Sequence, residues 1–273
     1  MTSTETERPV LELRGISKSF GAVQALSEVS VVVRSGEVVG LVGDNGAGKT
    51  TLVRCIAGIH QPDEGQILID GRLEGRLTPE SARSRGIETV HQNLSLIETF
   101  DVTENLFLNR ELVGSNSFRR RVGWLQKRAM YREAEEILAR LSLPVKARDV
   151  VATLSGGQRQ ILAVARAVTW GRHIVLMDEP AAALGVRQTG MVLEFVRLLA
   201  SHGAAVMFIS HNIQHVFQST DRIVVLRHGE KVADVRSKTT SPDEIVSLMT
   251  GATASANGAD LEDVVGRLGE SER

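Results

Sequence analysis

Between Val10 and Gly71, apolar residues come in short runs broken by turn residues. VLELRG, VSVVVRSGE, EVVGLVG and QILIDG read as strands, each bounded by Gly, Ser or Asp. One helix interrupts the series: KTTLVRCIAG, Lys49 to Gly58, opens directly out of a glycine-rich stretch behind the apolar strand VVGLV. Strand, loop and helix in that order form a mononucleotide-binding α/β unit.

The pattern changes from about Gln92 to Gly171. KRAMYREAEEILARL places Met130, Ala134, Ile137, Leu138 and Leu141 at helical spacing, and no stretch in this region alternates as a strand would. The α/β pattern then resumes. HIVLMDEP and AAVMFISH read as buried strands, and VRQTGMVLEFVRLLASHG between them as a helix ending at a C-cap glycine. DRIVVLRHGEKVADV predicts two short strands around a His-Gly turn. SPDEIVSLMTG predicts a closing helix, with Ser241 and Pro242 at its N-cap and first turn. The ordered core should end near Gly251. The remainder, ATASANGADLEDVVGRLGESER, is rich in small and acidic residues and too short for a domain. No internal repeat is present, so the chain holds one copy of its unit.

Composition narrows the function classes. The chain has 273 residues, 42% of them hydrophobic and 24% charged, ordinary values for a globular protein with a sizeable core. A net charge of −1 argues against binding nucleic acid by counterion release. The basic stretch SFRRRVGWLQKR, Ser117 to Arg128, reads as a solvated helical face. One cysteine, Cys55, excludes an intramolecular disulfide and any multi-cysteine metal site; it reads as a small core residue. No apolar run is long enough to span a bilayer, and the first residues lack a secretory pattern. A cytoplasmic protein is expected, docked onto an embedded partner if it works at a membrane.

Candidate chemistry begins with Gly43-Asp44-Asn45-Gly46-Ala47-Gly48-Lys49-Thr50, which matches G-x-x-x-x-G-K-[ST]. Glycines let successive N–H groups turn inward on phosphates, the helix N-terminus adds its positive dipole end, and Lys49 adds a full charge. Thr50 offers a hydroxyl to Mg²⁺, and Thr51 is counted with the nucleotide-binding set. The strand IVLMDEP ends in Asp178 and Glu179. Strand carboxyl ends line the ligand crevice of a parallel α/β sheet, so Asp178 is the candidate metal ligand and Glu179 the candidate base for a water attacking the γ-phosphate. His211 ends the next strand in the same way. Gln92, where strand text gives way to helix, could reach Mg²⁺ or the attacking water. The other histidines, His60 included, carry no assignment.

LSGGQRQ, Leu154 to Gln160, presents a second material for an anion cradle. Ser155, Gly156 and Gly157 precede an apolar helix, so free N–H groups collect at its N-terminus, yet no lysine accompanies them. As an independent nucleotide site it is incomplete.

Taken in order, GDNGAGKT, Gln92, LSGGQRQ, IVLMDEP and ISH resemble the ATP-binding cassette family from about Val10 to Gly251. The resemblance implies an α/β fold: a P-loop NTPase (RecA-like) core with an antiparallel β subdomain and an inserted α-helical subdomain. The cassette would cover 9–251, with the core at about 9–91 and 172–251, the helical subdomain at about 92–171 and a tail at 252–273. It implies ATP and Mg²⁺ as ligands, with Phe20 stacked on adenine. Glu179 would be the general base, His211 the γ-phosphate sensor and Gln92 the link to the transporter. Ser155, Gly156, Gly157 and Gln158 would close over the γ-phosphate held by the Lys49 loop of a second copy, so each chain supplies half of two sites. The finer text, including IETFDVTENLFLNREL, DEPAAALGVRQT and ISHNIQHVF, resembles single-cassette ATPase subunits of bacterial fructose- and ribose-type importers.

That branch implies membrane permease subunits as partners, a periplasmic sugar-binding protein met indirectly, and a place on the inner face of the cell membrane. The alternative is a soluble cassette ATPase acting on DNA or ribosomes. Against it, no long coiled coil separates the two glycine motifs, and only one cassette is present. Two positions depart from the family: Ala181 stands where threonine or serine is usual, and Ala183-Leu184-Gly185 where Leu-Asp often ends the loop.

Overall fold

The computed structural model describes residues 9–90, 96–113, 125–170, 173–181 and 184–252. Among the described residues ten strands form two sheets. β1 (Pro9–Phe20), β2 (Val23–Arg34), β4 (Glu64–Ile69) and β5 (Arg72–Glu74) make an antiparallel sheet in the order β2-β1-β4-β5. The second sheet runs β10-β9-β3-β8-β7-β6, from β3 (Val38–Val42), β6 (Ile87–Val90), β7 (Ile174–Asp178), β8 (Ala205–Ile209), β9 (Arg222–Arg227) and β10 (Glu230–Arg236). All its pairings are parallel except β9 with β10, which are joined by His228 and Gly229, both at positive φ, as a tight hairpin requires.

Eight α-helices complete the described residues: α1 (Lys49–Ile56), α2 (Pro79–Ser84), α3 (Val102–Leu106), α4 (Lys127–Arg140), α5 (Gly156–Trp170), α6 (Val186–Ser201), α7 (Ile213–Ser219) and α8 (Pro242–Thr250). Their ends follow local chemistry. Ser241 caps α8 by accepting from Glu244 N, Pro242 opens it, and Gly251 closes it in the left-handed conformation. Asp101 and Glu104 form a reciprocal capping box on α3. Among the described residues no helix is long and apolar enough to cross a membrane.

The central strands are buried along their whole length, which is why they read as unbroken apolar runs. Their alternation divides the core into two layers. Val39, Leu41, Leu176, Met207 and Ile209 face α1 and the antiparallel sheet, packing with Leu11, Leu13, Val31, Leu52 and Ile56. Val38, Val42, Val175, Met177, Val206 and Phe208 face the other way, packing with Met130, Ala134, Ile137 and Leu138 of α4 and with residues of α5 and α6. Phe208 is fully buried in this second layer, and truncating it to alanine should cost about 3–5 kcal/mol.

Several elements differ from the sequence expectation. β1 and β2 extend well past VLELRG and VSVVVRSGE, because the more polar ISKSF and QALSE continue the antiparallel pairing through several register shifts. α2 and β6 have no counterpart in the sequence reading. Four-residue β6 is an edge strand with half-buried Glu88 and Thr89 in its middle, so it carries no apolar run.

Candidate nucleotide site

The glycine loop leaves the end of β3 and enters α1 at Lys49. Two of its glycines are dictated by close approach. A Cβ on Gly43 would lie 2.2 Å from the Leu226 carbonyl oxygen of β9, and one on Gly48, at φ 100°, would lie 2.6 Å from the Ala25 carbonyl oxygen of β2. Gly229, in the β9–β10 hairpin, donates its N–H to Ala47 O at 3.2 Å. The loop is therefore braced from both sheets, while Asp44, Asn45, Gly46 and Thr50 remain exposed and Thr51 is half-buried.

Lys49 is only 9% exposed and curls back over this loop, its Nζ donating to Gly43 O at 2.6 Å and Asp44 O at 2.8 Å. Burial pulls the ammonium below its ordinary pKa, while the carboxylates of Glu179, Asp178 and Asp44 pull in the opposite direction. A desolvated cation satisfied by two main-chain carbonyls can exchange them for phosphate oxygens without meeting water first.

The acids stand beside it. β3, β8 and β7 are neighbours in the sheet and run parallel, so Gly43, Ser210 and Asp178 share one carboxyl edge. Asp178, the last residue of β7, is buried at 6% exposure. The chain then turns through a left-handed Glu179, φ 53°, costing on the order of 1 kcal/mol. Its N–H donates to Ile209 O at 3.1 Å. That turn sends the Glu179 carboxylate toward His211, whose Nδ1 lies 2.5 Å from Oε2. The imidazole donates to this carboxylate in the tautomer that carries its proton on Nδ1. His215, one helical turn further on, is pushed below its usual pKa by burial first and then by His211.

Phe20, the last residue of β1, is 45% exposed. His60 meets it edge-on, with centroids 5.2 Å apart and planes at 71°, and Lys18 Nζ stands 5.5 Å from its centroid. Asp63 steadies this corner, accepting from Lys18 Nζ at 2.6 Å and Ser19 N at 2.7 Å. The role of His60 escaped the sequence reading: it depends on the end of β1 meeting the chain just past α1, which no local pattern reports.

The second cradle is built differently. Ser155 Oγ accepts from Gln158 N at 3.2 Å, and Gln158 Oε1 accepts from Ser155 N at 2.9 Å, a capping box that starts α5. Gln158 Nε2 donates onward to Pro144 O at 3.0 Å. Gln158 thus holds the helix start, while Ser155 and Gly156 are exposed and Gly157 is half-buried. Buried Gln160 donates to Pro180 O at 2.7 Å, fastening α5 to the segment just after Glu179. The structure therefore brings together Lys49, Asp178, Glu179 and His211, and leaves Ser155–Gly157 on a surface of its own. Gln92, most of the basic stretch 117–128 and the tail beyond Ala252 lie outside the described residues.

The oxygen donors suit a hard cation. Thr50 sits in the first turn of α1 and Asp178 at the end of β7, and Mg²⁺ takes one or two such protein ligands alongside phosphate oxygens. Among the described residues no group of three or more His, Cys, Asp or Glu side chains could hold a metal without the nucleotide.

Comparison with known proteins gives matches over most of the chain. A family model described as ABC transporter matches residues 26–182. The xylose/arabinose import ATP-binding protein of Sulfolobus acidocaldarius is 43% identical over 88% of this chain and 94% of its own. The fructose import ATP-binding protein of Rhizobium meliloti is 39% identical over 90% of this chain and 95% of its own. Among solved structures, a nucleotide-free ATP-binding cassette from an ABC transporter aligns with a TM-score of 0.74 at 26% identity, covering 89% of this chain and 95% of that one. A dimeric post-hydrolysis cassette bound to ADP and Pi aligns at 0.70 and 26% identity, covering 84% and 100%.

Proposed function

From a chain that belongs to the ABC transporter family, as an ATP-binding ATPase, we infer the hydrolytic subunit of an importer for a simple sugar. The observation that carries this reading is the convergence of Lys49, Asp178, Glu179 and His211 on one edge of the parallel sheet, directly beside the glycine loop. The sugar class rests on relatives named for xylose/arabinose and fructose import.

ATP lies with its phosphates on the N–H groups of residues 43–50 and its adenine on the exposed face of Phe20. Lys49 leaves the two loop carbonyls for the phosphates, so that binding replaces one set of oxygen acceptors by a more charged one. Mg²⁺ held by Thr50 and Asp178 supplies neutralising charge to the phosphate oxygens. Glu179 takes the proton of a water as its oxygen attacks the γ-phosphorus; the bond to the β–γ bridging oxygen breaks, leaving ADP and phosphate. His211 keeps the Glu179 carboxylate aimed until the γ-phosphate draws the imidazole to itself. The exposed Ser155–Gly157 cradle closes over the phosphates held by a second copy, which makes the working unit a pair of chains docked on membrane permease subunits at the cytoplasmic face. Sugar meets the binding protein and the permease rather than this chain.

The test is Glu179→Gln. ATP binding should persist while hydrolysis falls on the order of 10²–10⁴-fold, measured as phosphate release with Mg-ATP. Hydrolysis at the wild-type rate would remove Glu179 from the mechanism.

A further inference from the structure

An aromatic side chain at the exposed end of a strand is free to swing, and a ring that swings loses entropy when it stacks on a ligand. Phe20 has such a place at the end of β1, yet one ring already stands against it. The His60 imidazole lies at 71° to the phenyl plane with centroids 5.2 Å apart, inside the separation at which edge-to-face pairs attract. His60 is half-buried, and among the described residues its side chain enters no hydrogen bond or ion pair, so the ring contact with Phe20 is what occupies it. The backbone that carries His60 is fastened at both ends. Ile59 N and His60 N both donate to Arg54 O, at 2.9 and 3.1 Å, and Arg54 lies in the last turn of α1, the helix that Lys49 opens. Three residues on, Asp63 N donates to Ser17 O at 2.9 Å, while the Asp63 carboxylate accepts from Lys18 Nζ and Ser19 N. Residues 59–63 therefore tie the phosphate helix to the last residues of β1.

We propose that His60 is a positioning residue for nucleotide binding: it holds the Phe20 ring still and fixes its distance from the Lys49 loop, an inference that rests on the reading above in which adenine stacks on Phe20. ATP spans two platforms, a ring for its base and a loop for its phosphates. It binds with full affinity where the spacing of the two matches the ligand before it arrives, because no binding energy is then spent on ordering them. His60 sets that spacing along one short path: the Phe20 ring touches the His60 ring, the His60 N–H holds the Arg54 carbonyl, and Arg54 is one helix with Lys49. Adenine takes no part in breaking the bond between the β- and γ-phosphates. The contribution of His60 therefore falls on binding, equally before and during the chemical step.

The test is a mutant cycle on the full chain: wild type, Phe20→Ala, His60→Ala, the double variant, His60→Gln and His60→Phe, each assayed for ATP affinity by titration calorimetry and for KM and kcat of phosphate release. His60→Ala should weaken ATP binding about threefold to tenfold and raise KM in step, with kcat within about twofold of wild type. His60→Phe keeps an aromatic ring at the contact and should restore the affinity. Phe20→Ala should weaken binding by itself, and His60→Ala should add little in that background, since the histidine acts through that ring. Wild-type affinity in His60→Ala, additive effects of the two alanines, or no recovery in His60→Phe overturns the positioning role while leaving adenine stacking intact. Unchanged affinity in Phe20→Ala would refute the stacking itself, and this inference with it. Should His60→Ala lose its cooperative thermal transition, His60→Gln decides, as it keeps a polar side chain without the ring: a raised KM supports the proposal and a wild-type KM counts against it.

Discussion

Two glycine motifs open two helices in this molecule, and the structure treats them in opposite ways. The loop before α1 is wedged between β2 and the β9–β10 hairpin, so closely that Gly43 and Gly48 have carbonyl oxygens where a Cβ would be, and it stores a buried lysine. The turn before α5 is exposed, carries no lysine and satisfies its own first N–H groups with Ser155 and Gln158. One holds its charge against two main-chain carbonyls; the other offers only the exposed N-terminal turn of a helix. Glycine and a helix N-terminus are common to both, so the difference lies in what surrounds them. Only the first has a lysine and two strand-end acids within electrostatic reach.

Experiments on the two loops can break this comparison. The largest effect should come from Lys49→Ala, which removes the charge that pairs with phosphate; nucleotide affinity should drop at least a hundredfold by titration calorimetry, and unchanged affinity would refute the loop assignment. Ser155→Arg fills the exposed cradle with a long side chain. ATP binding to the single chain should survive while phosphate release stops, whereas normal hydrolysis would show the cradle to be idle. Gly43→Ala drives a methyl into the Leu226 carbonyl and should cost at least about 1–3 kcal/mol of stability by chemical denaturation. The matching change in the second motif, Gly156→Ala, meets nothing within 4 Å and should leave stability within about 0.5 kcal/mol.

The smallest effect concerns Cys55, buried behind the first loop in α1. Burial pushes its thiol up to about 11 from an ordinary value near 9.0. The unfolded thiol ionises first as pH rises, so stability is lost between about pH 9 and pH 11 and is indifferent to this group below. At pH 8 the folded chain should resist alkylation that the unfolded chain undergoes, read by mass spectrometry; rapid labelling of the folded protein would place Cys55 outside the core.

Much of the architecture was legible because the parallel strands are buried on both faces and appear as uninterrupted runs, and because helix ends such as Ser241-Pro242 and Gly251 carry their signals locally. β6 was not legible: an edge strand with Glu88 and Thr89 inside it needs no apolar run, and only its pairing with β7 makes it a strand. At the site, the contiguous motifs around Lys49, Ser155 and Asp178-Glu179 could be read directly. The contacts of Phe20 with His60 and of Lys49 with its loop carbonyls could not.

Sequence by itself settled which chemical groups this protein has and the order of the elements that carry them, since periodicity, capping residues and glycine loops act over a few positions. Tertiary structure decided which of those groups meet. Strand order set Glu179 and His211 on one edge, and the walls of β2 and β9 made one glycine loop a closed cradle while the other stayed open. Those outcomes depend on through-space approach and exclusion of water between residues far apart in the chain, and no local pattern encodes them.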